Sequence, residues 1–197
     1  MHISIEGFDG VGKSTVSKLL AKKLGFAFVE KPLKYLFDNH GGDSEYIRIR
    51  NYFNNISEKN RALSACFYSL GNLYLYEKFK DQDIITDRHI LSNFAWSYGE
   101  ESLELFDTIY NIIGSPKYTF ILYGNKETII KRLKSRNNND ADLAKINKHE
   151  TIYKRMEFFA NKHNMDYLLI DTSNISPKEI VDYIIEILIK RGIINAK

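Results

Sequence analysis

The stretch Gly7-Phe8-Asp9-Gly10-Val11-Gly12-Lys13-Ser14 constrains this chain more than any other feature. Before it, residues 2–6 read His-Ile-Ser-Ile-Glu, an alternation that predicts a short strand ending at the glycine. After it, Val16, Leu19, Leu20 and Leu24 recur at helical spacing, and Gly25 stands where a C-terminal cap belongs. A strand, a glycine-rich turn and a helix opening on lysine and serine build a phosphate cradle. The glycines let successive backbone N–H groups face phosphate oxygens, and the helix N-terminus adds partial positive charge. In such a cradle Lys13 reaches the β- and γ-phosphates, and Ser14 offers a hydroxyl to Mg²⁺. Residues Gly7, Phe8, Asp9, Gly10, Val11, Gly12, Lys13, Ser14 and Thr15 are therefore assigned to nucleotide binding.

The rest of the chain alternates strands and helices. Phe26 to Glu30 predicts a second strand stopped by Pro32, and a loop with Gly41-Gly42 leads to helices over about 43–57 and 61–80. Leu63, Cys66, Phe67, Leu70, Leu73 and Tyr74 give the second of these an apolar side. Asp83 to Asp87 reads as a buried strand whose last residue emerges as a carboxylate, followed by helix from about 90 to 112. Tyr118 to Tyr123 is a fourth strand, and a helix opened by Asn125 carries Ile129, Ile130 and Leu133. A polar loop, 137–147, precedes a helix over 148–163 and the strand Tyr167 to Ile170. Ser176-Pro177-Lys178-Glu179 is a capping box that starts the last helix. This order implies an α/β domain on a mostly parallel sheet, with ligands at the carboxyl ends of the strands.

Composition narrows the partners. The 28 basic and 25 acidic residues leave a net charge of +3, too mild to require a nucleic acid polymer or an anionic membrane. One cysteine, Cys66, allows neither an internal disulfide nor a multi-thiolate zinc site, and no signal peptide or long apolar run is apparent, so a cytoplasmic location is expected. The five histidines, His2, His40, His89, His149 and His163, lack metal-ligand spacing and read as surface residues for the most part.

A phosphate loop alone does not separate kinases from GTPases or motors. Asp38-Asn39-His40-Gly41 and Asn125-Lys126-Glu127-Thr128 imitate GTPase motifs, but Thr128 replaces the aspartate that grips guanine. Too few residues separate Gly25 from Asp38 for a switch loop and two strands.

Ile5-Glu6-Gly7-Phe8-Asp9-Gly10-Val11-Gly12-Lys13-Ser14-Thr15 resembles the opening signature of thymidylate kinases. Asp87-Arg88-His89-Ile90-Leu91-Ser92-Asn93-Phe94-Ala95-Trp96 resembles their second signature, D-R-Y-x-x-S-x-x-A-Y. The segment from Arg132 to Arg136, its polar loop and the helix holding Tyr153 look like the family's lid. The resemblance implies one P-loop kinase domain over residues 1–197. It would be an α/β fold of three layers, a five-stranded parallel sheet flanked by helices, with a short lid at about 136–148. It further implies transfer of the γ-phosphoryl of Mg-ATP to a nucleoside monophosphate, in a homodimer. Under it, Lys13, Asp9, Arg88, Arg132 and Arg136 serve catalysis, and Ser14 and Asp87 serve the metal. Arg88 clamps the acceptor's phosphate, and Asp9 contacts its sugar or phosphate region. Gly10 stands where some members carry a catalytic arginine, which assigns that cation to the lid, foremost to Arg136, with Lys145 and Lys148 nearby.

Recognition of the acceptor departs from the family. Phe67 matches the base-stacking phenylalanine, but Gly71 stands at the base-reading arginine, leaving Asn72 as a candidate reader. Glu30 and Lys31 replace the arginine and glutamate of the second strand's end. Deoxynucleoside kinases end this strand with a glutamate that acts as general base toward a 5′-hydroxyl, which makes Glu30 the mark of a rival reading. A nucleotide-binding switch without an acceptor is a further alternative.

Overall fold

The computed structural model describes residues 1–38, 42–56 and 60–195. Asn39, His40 and Gly41, and hence most of the GTPase-like Asp38-x-x-Gly41 pattern and the first glycine of the predicted loop, lie outside the described residues, as does residue 57.

Five parallel strands form one sheet: β1 (His2–Gly7), β2 (Ala27–Glu30), β3 (Ile84–Asp87), β4 (Tyr118–Tyr123) and β5 (Tyr167–Asp171), in the order β2-β3-β1-β4-β5. The central strand β1 is buried at every position, as a strand covered on both faces must be. Between the strands run helices α1 (Lys13–Leu24), α2 (Lys34–Phe37), α3 (Ser44–Ile56), α4 (Arg61–Phe79), α5 (Ile90–Trp96), α6 (Glu100–Ile113), α7 (Lys126–Arg136), α8 (His149–Lys162) and α9 (Pro177–Lys190). Helix α1 packs on β2, β3 and α9, while α4, α5, α6 and α8 pack among themselves with α5 against β1. The expected three layers result.

Local chemistry accounts for the element ends. Gly25 adopts φ +74° and caps α1, Asn125 caps α7 through the Thr128 amide, and Ser176 and Glu179 cap α9 reciprocally. The stretch 90–112 divides at Ser97 into α5 and α6, and Ala141–Lys148 winds into 3₁₀ turns where a polar loop is expected. On α4 the buried side differs from expectation. Ser64, Ala65, Phe67, Ser69, Gly71, Asn72 and Leu75 face inward, whereas Cys66 and Leu70 are exposed. The helix is apolar on most sides, so hydrophobic spacing cannot choose its face, and small polar residues line the inner side instead.

Register aligns the functional edge. Ile5 of β1 and Glu30 of β2 both pair with Asp87 of β3, and Gly7 pairs with Leu122 of β4. The carboxyl ends of four strands therefore open onto one rim.

Candidate active site

The glycine loop is built by conformations that only glycine enters readily. Gly7, Gly10 and Gly12 have φ of +136°, +84° and +95°. At Gly7 a Cβ would lie 2.3 Å from the Leu122 carbonyl oxygen, so β1 can approach β4 only without a side chain. Lys13 Nζ reaches back across the loop and donates to the Phe8 carbonyl at 2.6 Å. Burial and the neighbouring Arg88 push the Lys13 ammonium down to about 8, against the attraction of Asp9, Asp87 and Glu6. Phe8 itself takes a structural part. Its ring is buried, and its amide donates to Tyr153 Oη at 3.1 Å while that hydroxyl donates to the Leu122 carbonyl at 2.7 Å. Tyr153 thus forms a strut under the loop.

At the end of β3, Asp87 and the following Arg88 turn toward this loop. The Ser14 hydroxyl donates to Asp87 Oδ2, and Asp87 Oδ1 is buried without a partner. A hydroxyl and a carboxylate in contact are the hard oxygen donors that suit Mg²⁺. Arg88 holds a left-handed backbone, φ +76°, and its guanidinium donates to Asp9 Oδ1, to the Gly7 carbonyl at 3.3 Å and to Ser92 Oγ at 3.2 Å.

The strained turn at Arg88 is secured from below by Glu6. This fully buried carboxylate accepts from the amides of His89 (3.0 Å), Leu91 (3.2 Å) and Ser92 (3.2 Å) and from the Ser92 hydroxyl. Burial raises its pKa to about 7 even against those hydrogen bonds and Arg88.

Two cavities meet at this edge. The larger, about 590 Å³, is lined by the loop from Asp9 to Val16 and by Glu30, Arg132, Arg136, Ile175 and Pro177 among others. The smaller, about 90 Å³, is lined by Val29, Pro32, Leu33, Tyr46, Tyr68, Gly71, Asn72, Leu75, Thr86, His89 and Asn93. Lys31, Asp87 and Arg88 line both. Of the assigned loop residues, Asp9 to Thr15 line these cavities together with Glu30, Lys31, Asn72, Asp87 and Arg88, while Gly7 and Phe8 line neither. Phe67 also lies outside both. It packs into an aromatic cluster, stacked at 4.6 Å on Phe53 and at 6.5 Å on Phe37, and the neighbouring Tyr68 lines the small cavity instead. Opposite Gly71 stand Leu33 and Pro32, which a Cβ on the glycine would meet at 3.3 and 3.5 Å.

The cations of α7 and of the 3₁₀ segment Ala141–Lys148 differ in their partners. Arg132 donates to the Thr172 hydroxyl at 3.1 Å and carbonyl at 2.6 Å, which ties α7 to the end of β5. Arg136 is held by Asp140 and Asp142. Lys145 joins that network to the site: its ammonium lies 2.6 Å from Asp142, 4.0 Å from Asp9 and 5.6 Å from the centre of the Trp96 ring. Of Arg132, Arg136 and Lys145, Lys145 is the one ion-paired with a residue of the glycine loop among those described.

Read from sequence alone, Glu6, His89, Tyr153 and Thr172 have no individual role in the site. The buried carboxylate inside an otherwise apolar strand is the signal that could have found Glu6, since a charge there needs partners. His89 is 2% exposed, and His2 and His149 are also buried, which corrects their reading as surface residues.

Comparison with known proteins agrees with this geometry. A sequence profile described as thymidylate kinase matches residues 5–184. A thymidylate kinase of Rickettsia peacockii is 27% identical over 194 residues, covering 92% of this chain and 94% of its own. Among solved structures, thymidylate kinase from Candida albicans superposes with a TM-score of 0.68 at 19% identity, covering 97% of this chain and 92% of its own. A deoxyadenosine kinase from M. mycoides, with the products dCMP and dCDP bound, gives 0.67 at 21% identity over 95% and 98%. These two structural likenesses show the fold.

Proposed function

The chain belongs to the thymidylate kinase family, and from that premise we propose that it transfers the γ-phosphoryl group of Mg-ATP to a pyrimidine deoxynucleoside monophosphate, in the first place dTMP to give dTDP. The observation that carries this reading is the meeting of the two cavities at Lys31, Asp87 and Arg88. ATP occupies the larger cavity with its phosphates on the loop amides and Lys13. The acceptor's base enters the smaller one, and its phosphate faces Arg88 and Lys31. Arg88 offers a planar fork suited to bidentate grip on a phosphate, and Asp9 orients that fork.

Phosphoryl transfer asks for in-line placement, charge neutralisation and exclusion of water. Lys13 and Arg88 neutralise from the two sides of the transferred group, and the lid adds Arg136 and Lys145. Ser14 and Asp87 would hold Mg²⁺, which when bound neutralises charge on the phosphate oxygens. Arg132 braces α7 against Thr172 so that the lid hinges from a fixed base.

The same reading treats residues 1–197 as one kinase domain with a lid at about 136–148, working in the cytoplasm. No helix among the described residues is long and apolar enough to cross a membrane. A homodimer is part of the proposal, supported by exposed Leu70 on α4 and Ile112 on the adjoining α6. Sedimentation equilibrium tests it.

One observation favours a second reading. Glu30 pairs in register with Asp87 and lines the larger cavity beside Lys31, where a general base for a nucleoside 5′-hydroxyl would stand. A coupled ADP-release assay with deoxynucleoside monophosphates and free deoxynucleosides separates the two. Turnover of monophosphates supports the proposal, and turnover of nucleosides alone replaces it with the Glu30 mechanism.

A further inference from the structure

Behind the Arg88 guanidinium lies a buried serine whose hydroxyl is held in one orientation. Ser92 stands four residues after Arg88, in α5, and is 1% exposed. Its one hydroxyl proton goes to Glu6 Oε2, so its lone pairs are left for Arg88, whose Nη1 donates to it at 3.2 Å. A serine hydroxyl without a fixed acceptor rotates to suit its surroundings. Here the acceptor is fixed, because Glu6 is fully buried and also takes the amides of His89, Leu91 and Ser92. Glu6, Ser92 and Arg88 therefore form a chain of hydrogen bonds in which a buried carboxylate polarises the hydroxyl toward the cation. Burial works against the charge of Arg88, but Asp9, Asp87 and Glu6 together outweigh it.

The same bonds decide which part of the guanidinium stays open. Nη1 gives its hydrogens to Ser92 Oγ and to the Gly7 carbonyl at 3.3 Å, and Nη2 gives one to Asp9 Oδ1. Of the donors an arginine carries, this leaves one N–H on Nε and one on Nη2 without a partner among the described residues. Those two nitrogens are the pair from which a side-on grip on two phosphate oxygens is made, and Arg88 lines both cavities. We propose that Ser92, oriented by Glu6, is the positioning residue of Arg88: its hydroxyl takes up Nη1 and so leaves the Nε and Nη2 donors for the acceptor's phosphate. This rests on the phosphotransfer reading above. A serine that served α5 alone would be complete with its bond to Glu6, and it is the second bond, to Nη1, that ties it to the clamp.

A double-mutant cycle tests this, with wild type, Ser92→Ala, Arg88→Ala and the double variant assayed on dTMP and ATP and their melting temperatures measured alongside. Ser92→Ala is expected to lower acceptor kcat/KM about tenfold, chiefly through the KM for dTMP, the scale of one hydrogen bond to a charged group. The KM for ATP should stay within about twofold. In the Arg88→Ala background the same substitution should change acceptor kcat/KM by less than about twofold, because the group it positions is gone, whereas its effect on melting should be of similar size in both backgrounds. Ser92→Thr, which keeps the hydroxyl, should recover most of the loss. An unchanged acceptor kcat/KM in Ser92→Ala overturns the proposal. So does a full further tenfold loss in the Arg88→Ala background, or equal losses for both substrates, since either would assign Ser92 to the fold. If Ser92→Ala does not fold, Ser92→Cys, which fills the space with a weak acceptor, carries the same comparison, and failure of both to fold also overturns it. If wild type phosphorylates deoxynucleosides and no monophosphate, the function proposed above fails. The same cycle on the nucleoside then decides separately whether Ser92 acts through Arg88, with additive losses overturning that link and non-additive ones supporting it.

Discussion

Asp9 of the glycine loop and Arg88 of the turn after β3 form a direct ion pair across 79 positions of sequence. Burial by itself would raise the Asp9 carboxyl, but Arg88, then Lys13 and Lys145, outweigh it and hold the group well below the usual carboxylate range. The pair holds Arg88 at the junction of the two cavities, so that under the proposed function an incoming phosphate would meet a guanidinium already in place.

Replacing Arg88 by alanine separates its role from that of the loop. Acceptor kcat/KM is expected to fall at least about 100-fold, from the loss of a charged bidentate contact. ATP affinity, carried by Lys13 and the loop amides, should change little. Arg88→Lys keeps charge without the fork and should recover only a small part. Steady-state kinetics with each substrate varied in turn checks this, and equal losses for both substrates would count against an acceptor clamp.

Lys13 predicts a basic limb in the pH profile. Its ammonium titrates at about 8 in the nucleotide-free protein, so its charge declines as pH rises through that value. The kcat/KM for ATP, which reports the free enzyme, should fall above about pH 8. Bound phosphates favour the charged form, so the limb should move to higher pH in kcat. Coincident limbs in the two profiles would place the titration elsewhere.

Glu6 predicts a pH-dependent stability. Its pKa rises from 4.5 to about 7 on folding, chiefly through burial. Between those values the folded chain keeps a proton that the unfolded chain has lost, so its contribution to stability declines as pH rises through that window and levels off above it. The shift corresponds to roughly 3 kcal/mol. In Glu6→Gln that slope disappears. One carbonyl oxygen cannot serve all four donors, so the variant should also lose roughly 1–3 kcal/mol. Urea unfolding of both proteins at pH 5 and pH 8 measures the difference, and parallel pH dependence would show that Glu6 titrates normally.

The strands and the glycine loop were legible because they rest on local rules. Alternation or apolar runs mark β1 and β4, glycine permits positive φ at residues 10 and 12, and Ser176 with Glu179 satisfies the first turn of α9. Asp87 and Arg88 were legible as a motif placed at a strand's end. What escaped depends on contacts between distant segments. Glu6 meets its donors 83 to 86 positions away, and Phe8 is fixed by Tyr153 across 145. Phe67 was misplaced for a related reason: on a helix apolar on most sides, only the partner element decides which aromatic ring reaches the cavity, and Phe53 and Phe37 claim Phe67 while Tyr68 is left to line it.

Trp96 offers a direct view of the lid. It is the one tryptophan of the chain, and the Lys145 ammonium stands 5.6 Å from its ring centre while also facing Asp142 and Asp9. A cation at that range polarises the ring and is attracted to it. Phosphates arriving at the junction compete for Lys145, so saturating ATP analogue together with acceptor should draw the ammonium off the indole and change the emission of Trp96. Lys145→Ala removes the cation beforehand. In that variant the nucleotide-free emission should already resemble the liganded state, and the further change on adding both nucleotides should be small. Under the lid role proposed for Lys145, the variant's kcat should drop about tenfold or more while both cavities, which Lys145 does not line, stay intact. A full wild-type fluorescence change in Lys145→Ala would show that the signal arises from another contact and that Lys145 does not leave Trp96 when the nucleotides bind.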